Sequence, residues 1–307
     1  MSFMFIKKVI SCISSHDMLK KGDFVLIATS GGPDSTCLAY ILDLLKEKFE
    51  IKIALCHFNH KLRKNSYDDL KFVEDQARNL GCEFYCEEWD DPVRPQREAR
   101  IARYKFFEKI AKEVSANKIA LGHNLDDCIE TIIFHLIRGE GPLSIPPKRE
   151  LDFLTFIRPL ISIERKEIEV FLSEKNISFV NDPSNKELAY TRNKIRNILI
   201  PMISELNPSY KKAFVKLSKI WEGERDYFKK EVEKIIKEIR TEDGLSIKAL
   251  SKYHPALIAH ILREKQDIGF SQINEVLRFI SKRSSGTVEL GGGKFIKRKR
   301  DKLIWIG

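Results

Sequence analysis

Apolar residues in the first half of the chain follow two alternating spacings. Residues 24–30, "FVLIATS", form an almost continuous apolar run, the pattern of a strand covered on both faces. Residues 34–49, "DSTCLAYILDLLKEKF", switch to helical spacing, with Leu38, Ile41, Leu42 and Leu45 on one side. The two textures then repeat. "IKIALCHF" (51–58) predicts a second strand, and "SYDDLKFVEDQARNLG" (66–81) a helix with Gly81 as its C-cap. "CEFYCEEW" (82–89) predicts a third strand and 96–114 a long helix. "KIALGH" (118–123) predicts a fourth strand and 125–139 another helix. Strands alternating with helices predict an α/β domain with a doubly wound parallel sheet, whose ligands sit beyond the carboxyl ends of the strands.

The pattern loosens after residue 139. "GEGPLSIPPKRE" (139–150) reads as a loop. Residues 162–176 predict a helix with Ser162 at its N-cap and Glu164 and Glu167 in its early turns. "VNDPSN" (180–185) reads as a turn, and "TRNKIRNILIPMI" (191–203) as a basic helix that stops near Pro201. After "NPS" (207–209) the texture changes to a long charged helix or helix pair over 210–239, two shorter helices near 247–264 and 271–281, and short strands with basic turns from 286 onward. These features predict two domains: 1–208, and a smaller α+β domain over 209–307.

Charge sharpens that division. The 307 residues carry a formal charge of +10. Residues 1–208 hold 31 basic and 31 acidic side chains, whereas 209–307 hold 23 and 13. A neutral front and a basic tail point to a catalytic domain joined to one that binds a polyanion. At the N-terminus, Lys7 and Lys8 interrupt the apolar positions, so an amphipathic helix is expected and not a signal peptide. No run approaches the roughly 18 apolar residues of a membrane span, so no membrane partner and a cytoplasmic location are expected. Six cysteines with no C-x-x-C pair read as reduced, buried thiols.

Three unusual motifs begin at predicted carboxyl ends of strands: "SGGPDS" (30–35), "HFNHKLR" (57–63) and "GHNLDDCIET" (122–131). In the first, a glycine turn before a helix aims backbone N–H groups at an anion. The loop lacks the lysine of a Walker A motif. Asp34 would repel phosphate unless a cation stood between them, which suggests Mg²⁺ on Asp34, with Ser30 and Ser35 donating to phosphate and Gly31, Gly32 and Pro33 shaping the turn. Asp127 and Glu130 are three residues apart on one helix face. There they could bind Mg²⁺, hold an ammonium or remove its proton. "HFNHKLR" brings His57, Asn59, His60 and Arg63 to a strand end without separate roles.

"SGGPDS" resembles the S-G-G-x-D-S loop of the N-type ATP pyrophosphatases, or PP-loop enzymes. With "HFNHKLR", "LGHNLDDCIET" (121–131), "DPSN" (182–185), "TRNKIRN" (191–197) and "GKFIKRKRDKLIWI" (293–306), the chain resembles the tRNA(Ile)-lysidine synthase family. The resemblance implies ATP and Mg²⁺ as cofactors, and free L-lysine and the CAU-anticodon isoleucine tRNA as substrates. The wobble cytidine is adenylated with release of pyrophosphate, and lysine then displaces AMP. The resemblance places Asp34, Asp127, Glu130 and Arg103 in catalysis. It places residues 30–35, His57 and His123 at the nucleotide, Asp127 and Glu130 at lysine, and Arg192, Asn193, Arg196, Lys297, Arg298, Lys299 and Arg300 at tRNA. Asp126 is a weaker candidate. Cys128 stands where the family often has glutamine, and the 139–150 loop has fewer glycines than usual. A homodimer is compatible with the resemblance. Rival readings are a PP-loop tRNA thiolase, a PP-loop synthetase for a small metabolite, and a nucleotide-sensing RNA-binding protein without turnover. The missing C-x-x-C disfavours the first and the basic C-terminal third the second; Asp34, Asp127 and Glu130 disfavour the third.

Overall fold

In the computed structural model, which describes residues 2–59, 66–89, 96–180, 191–265, 268–281, 286–291 and 293–306, the first strand is buried on both faces because its alternate residues serve two different cores. Val25 and Ile27 join one apolar cluster, and Leu26 between them joins another. The chain runs α1 (Ser2–Ser15), β1 (Phe24–Ala28), α2 (Pro33–Phe49), β2 (Lys52–Asn59), α3 (Ser66–Asn79), β3 (Glu83–Glu88) and α4 (Gln96–Glu113). Next come β4 (Lys118–Leu121), α5 (Leu125–Ile137), β5 (Lys148–Leu151), β6 (Leu154–Ile157) and α6 (Arg165–Glu174). They are followed by α7 (Thr191–Lys194), a π-helical turn (Ile195–Leu199) and α8 (Ile200–Leu206).

The six-stranded sheet has the order β3-β2-β1-β4-β6-β5, parallel except for β5, which runs antiparallel to β6. Helices α1, α2, α3 and α6 contribute to the cluster on one side, through Phe5, Leu38, Val73 and Phe171 among others. Helix α4 fills the other with Phe106, Phe107 and Ile110. The strand order reverses at β1, between β2 and β4, and such a switch point opens a crevice at the carboxyl edge. The loops after β1, β2 and β4 therefore emerge side by side.

Three local expectations change. Residues 148–157 form the hairpin β5–β6, whose four-residue strands are too short to show a period in the sequence. Helix α6 starts at Arg165 with Glu164 as its cap, not at Ser162: the Ile163 carbonyl accepts the Leu125 N–H at 2.9 Å and so is committed to α5. Pro201 does not stop the helix. The π-helical turn resets the ladder before it, and proline within a helix's first turn forfeits no bond.

Two compact units are present, Met1–Phe214 and Val215–Gly307. The latter part of the chain is α9 (Tyr210–Ile239), β7 (Arg240–Thr241), β8 (Gly244–Ser246), α10 (Ile247–Leu250), α11 (Pro255–Lys265), α12 (Phe270–Ser281), β9 (Gly286–Gly291), β10 (Lys294–Lys299) and β11 (Lys302–Ile306). Helix α9 begins in the first unit, where Tyr210 and Phe214 pack with Ile129, Ile133 and Ile195. The second unit has its own core, including Ile235, Leu262, Val276 and Ile296, and a five-stranded antiparallel sheet ordered β7-β8-β11-β10-β9. No helix among the described residues is long and apolar enough to cross a membrane.

Candidate active site at the carboxyl edge of the parallel sheet

The loop after β1 is shaped by its glycines and hydroxyls. Gly31 has φ +78, a conformation that favours glycine, and its carbonyl accepts from Val180 N at 2.8 Å and Thr36 Oγ1 at 3.1 Å. Ser35 Oγ accepts the Ser30 N–H at 3.1 Å and donates to the Gly32 carbonyl at 3.0 Å. The Ser30 and Ser35 hydroxyls stand 3.2 Å apart. Gly32 caps α2 in extended conformation and Pro33 opens the helix, so Asp34 lies in the first helical turn. From the neighbouring strand, Gly122 lies against this turn, where a Cβ would come 3.0 Å from Ser35 N. A side chain there would press on the Asp34–Ser35 backbone, so the close approach favours glycine.

Helix α5 starts beside this turn. Asn124 is buried and caps the helix in a reciprocal capping box: its side chain accepts from Asp127 N and its own N–H donates to Asp127 Oδ2, both at 3.0 Å. Asn124 Nδ2 also donates to Asp34 Oδ1 at 3.0 Å, tying the two motifs together. The other Asp34 oxygen accepts from Arg165 Nη1 at 2.6 Å. Burial pushes the Asp34 carboxyl up to about 6, with Arg165 pulling it down and Asp127 pushing it further up.

Asp127 and Glu130 share a cation. Arg196, on the π-helical turn, grips Glu130 with two bonds, Nε to Oε1 at 2.6 Å and Nη2 to Oε2 at 3.0 Å. Its Nη2 also reaches Asp127 Oδ1 at 3.4 Å. The Glu130 side chain is only 3% exposed. Burial raises both carboxyls above their ordinary range, and Arg196 opposes the rise. Arg192 donates to Thr131 Oγ1 at 3.2 Å. Asn193 lies between the two arginines, half-buried. Asp126 faces elsewhere, accepting from the Arg165 N–H at 2.7 Å and from Lys211 Nζ at 2.7 Å.

Burial lowers the pKa of both histidines of the site. His57 is buried and its Nδ1–H donates to the Thr29 carbonyl at 2.9 Å, while burial lowers its pKa. His123 is lowered to about 3 by burial and by Arg158, Arg103, Arg100 and Arg192. Its Nδ1 accepts from buried Arg158 Nε at 3.3 Å, which leaves the proton on Nε2. Burial also lowers the pKa of Arg103, whose Nε is buried with no hydrogen-bond partner among the described residues. An orphaned guanidinium nitrogen beside a neutral imidazole suits an oxygen-rich ligand. Cys128 is buried and its thiol is pushed up to about 12, so it remains protonated.

The donor set fits a magnesium nucleotide. Among the described residues no group of three or more acidic, His or Cys side chains forms a ready metal cage. Mg²⁺ typically keeps waters and takes one or two carboxylates plus substrate phosphates, and Asp34 beside the glycine turn supplies that minimum. Arg158, Asn124, Gly122, Arg165 and Lys211 are prominent here and were not singled out from sequence. Only Asn124 carried a signal, the N-x-x-D spacing of a capping box. His60, Arg63 and "DPSN" lie outside the described residues.

The remaining candidates are in the second unit. On β10, Lys297 and Lys299 are exposed on one face. Arg298, on the opposite face with buried Ile296, donates through Nη1 to the Ile280 carbonyl at 2.9 Å and the Phe279 carbonyl at 3.3 Å, at the end of α12. Arg300 is exposed at the following turn with φ +55.

A family model described as a PP-loop domain matches residues 4–203. The chain is 31% identical over 327 residues to a tRNA(Ile)-lysidine synthase of Clostridioides difficile, covering 98% of this chain and 70% of that protein. The chain belongs to the PP-loop tRNA(Ile)-lysidine synthase family. A lysidine synthase of Thermosipho africanus is 38% identical over 225 residues, covering 71% of this chain and 52% of the relative, so the chain spans about half the length of that protein. Among solved structures, a U34-tRNA thiolase of Methanococcus maripaludis with its [4Fe-4S] cluster superposes with a TM-score of 0.60 at 18% identity, over 72% of this chain and 79% of that one. That likeness concerns the fold alone.

Proposed function

We propose that the protein ligates free lysine to C2 of the wobble cytidine in a CAU-anticodon isoleucine tRNA, using ATP. O2 of the cytidine attacks the α-phosphorus and pyrophosphate leaves. The lysine ε-amine then attacks C2, loses a proton and expels AMP. The observation that carries this reading is the pair of buried Glu130 and half-buried Asp127 beside the glycine loop, held by Arg196. Carboxylates make a poor neighbour for phosphate and a good one for an ammonium. They also offer a proton acceptor to an amine of pKa ≈ 10.4, which is no nucleophile until deprotonated.

In this reading the loop Ser30–Ser35 would hold the phosphates and Asp34 would hold Mg²⁺, which would neutralise the charge on the departing pyrophosphate. Arg103, with its unpartnered Nε, meets the α-phosphate or the cytidine ring, and neutral His123 offers Nε2–H to the same region. Arg192 and Asn193 line the tRNA side. Exposed Lys297, Lys299 and Arg300 in the second unit meet tRNA phosphates. A homodimer and a cytoplasmic location belong to the same proposal.

The test is transfer of radiolabelled lysine to a CAU-anticodon isoleucine tRNA transcript with ATP and Mg²⁺, against a methionine tRNA transcript and Asp34→Ala. Label on the isoleucine tRNA alone, lost in the variant, is expected. ATP cleavage to AMP and pyrophosphate without label would replace lysine by another nucleophile, and absence of both in folded protein would overturn the reading.

A further inference from the structure

The SGGPDS loop contains no cation, although a phosphate loop ordinarily has one. The fold brings one from 131 residues away: Arg165 Nη1 lies 2.6 Å from Asp34 Oδ2. The main chain of Arg165 is pinned, because its N–H donates to Asp126 Oδ2, whose other oxygen is taken by Lys211. Its guanidinium is shared between two carboxylates. Nη1 holds Asp34 in the site, and Nε holds Glu169, one turn along α6, at 3.0 Å. The side chain is 31% exposed, so the head is partly solvated while its base is anchored.

We propose that Arg165 is the phosphate-binding cation that the loop lacks, leaving Asp34 for the β- and γ-phosphate oxygens of ATP when nucleotide binds. The inference rests on the ATP reading above. Were Asp34 to take a divalent cation, the guanidinium would lose its partner and meet like charge. The polyphosphate brings several negative charges to the same place. A guanidinium also suits phosphate geometry, because its planar fork donates two parallel bonds. The contact with Glu169 gives it a resting position outside the site. Asn124 stays on the other Asp34 oxygen and keeps that carboxylate oriented during the exchange.

The alternative is that Arg165 is only the partner of Asp34, and the two ideas predict opposite signs. If Arg165 merely occupies Asp34, its removal frees that carboxylate for Mg²⁺ and tightens nucleotide binding. If it passes to phosphate, its removal weakens binding. The test is calorimetric titration of the full chain with ATP and with inorganic pyrophosphate, both with Mg²⁺, and with adenosine alone. The proteins are wild type, Arg165→Gln and Arg165→Lys.

For Arg165→Gln, a loss of about 10- to 100-fold in affinity for ATP and pyrophosphate, with adenosine unchanged, is expected from a lost charge-assisted bond. Arg165→Lys keeps the charge without the fork and should recover part of the loss. Unchanged or tighter pyrophosphate binding by either variant would overturn the inference while leaving the ATP reading intact. A parallel loss of adenosine affinity would reduce Arg165 to a structural role and also overturn it. Failure of the wild type to bind ATP would sink the ATP reading itself. Should Arg165→Gln prove unfolded by circular dichroism, Arg165→Lys decides through its ratio of pyrophosphate to adenosine affinity, which falls only if the fork grips phosphate.

Discussion

Two arginine-rich stretches, "TRNKIRN" and "KFIKRKR", look alike in sequence and differ in the fold. In the first unit, Arg196 turns inward and is consumed by Glu130 and Asp127. In the second, β10 sorts its cations by strand alternation. Lys297 and Lys299 face outward, while Arg298 points back and ties down the carboxyl end of α12. The difference lies in what faces each residue. A helix facing acidic α5 spends its arginine on buried carboxylates. A strand exposed on one face leaves its lysines in water, where they add little to stability and are free to meet phosphate. Positive charge in a sequence therefore identifies a polyanion site only after intramolecular partners have claimed their share.

Removing Arg196 should break the first half of this comparison with the largest effect. Arg196→Ala leaves buried Glu130 and half-buried Asp127 without their cation, and a stability loss of about 2–4 kcal/mol is expected from urea denaturation at pH 7. The sign with pH follows from the raised carboxyls. Without Arg196 they rise further, so both become neutral sooner as pH falls. The gap between wild type and variant should close toward pH 4. A gap that stays constant would mean that Arg196 acts through packing and not charge.

Arg298→Ala tests the second half. Loss of its bonds to the last carbonyls of α12 should cost about 1–2 kcal/mol in the same assay. Normal stability with weakened tRNA binding would instead return Arg298 to the group that faces RNA. The double change Lys297→Ala with Lys299→Ala should move stability least, by less than about 0.5 kcal/mol. Under the proposed function it should reduce tRNA affinity and lower the slope of log affinity against log salt by about 1 for each lost phosphate contact. Fluorescence anisotropy across a salt series measures both.

Much of the first unit was legible because its chemistry is local. The apolar run 24–30 and the helical period of 34–49 already defined a strand–turn–helix, and the glycines between them marked the tight turn. Four strands and their helices followed from the same two periods. The hairpin β5–β6 did not, because four-residue strands carry too little pattern to distinguish from a loop. At α6 a serine looked like a cap, yet the carbonyl of the next residue was already bonded to α5, which no local rule could foresee.

The candidate site divides in the same way. Asp34, Asp127 and Glu130 stood out because carboxylates beside a glycine loop or on one helix face need a chemical reason. Asn124 was visible only as part of a capping pattern, and its bond to Asp34 depends on strands β1 and β4 lying side by side. Arg165 and Arg158 gave no signal at all. Each is an ordinary arginine in sequence, and each becomes specific through a partner more than thirty residues away.

The sequence by itself determined most of the elements, the glycine turn after β1 and the division into a neutral and a basic part, because periodicity, glycine conformation and charge are properties of short stretches. Only the tertiary structure decided which charges meet. It gave Arg196 to Glu130, Arg165 to Asp34 and Arg298 to α12, because an ion pair or a helix cap depends on separations of a few ångströms that strand order and helix packing set, and that sequence distance does not record.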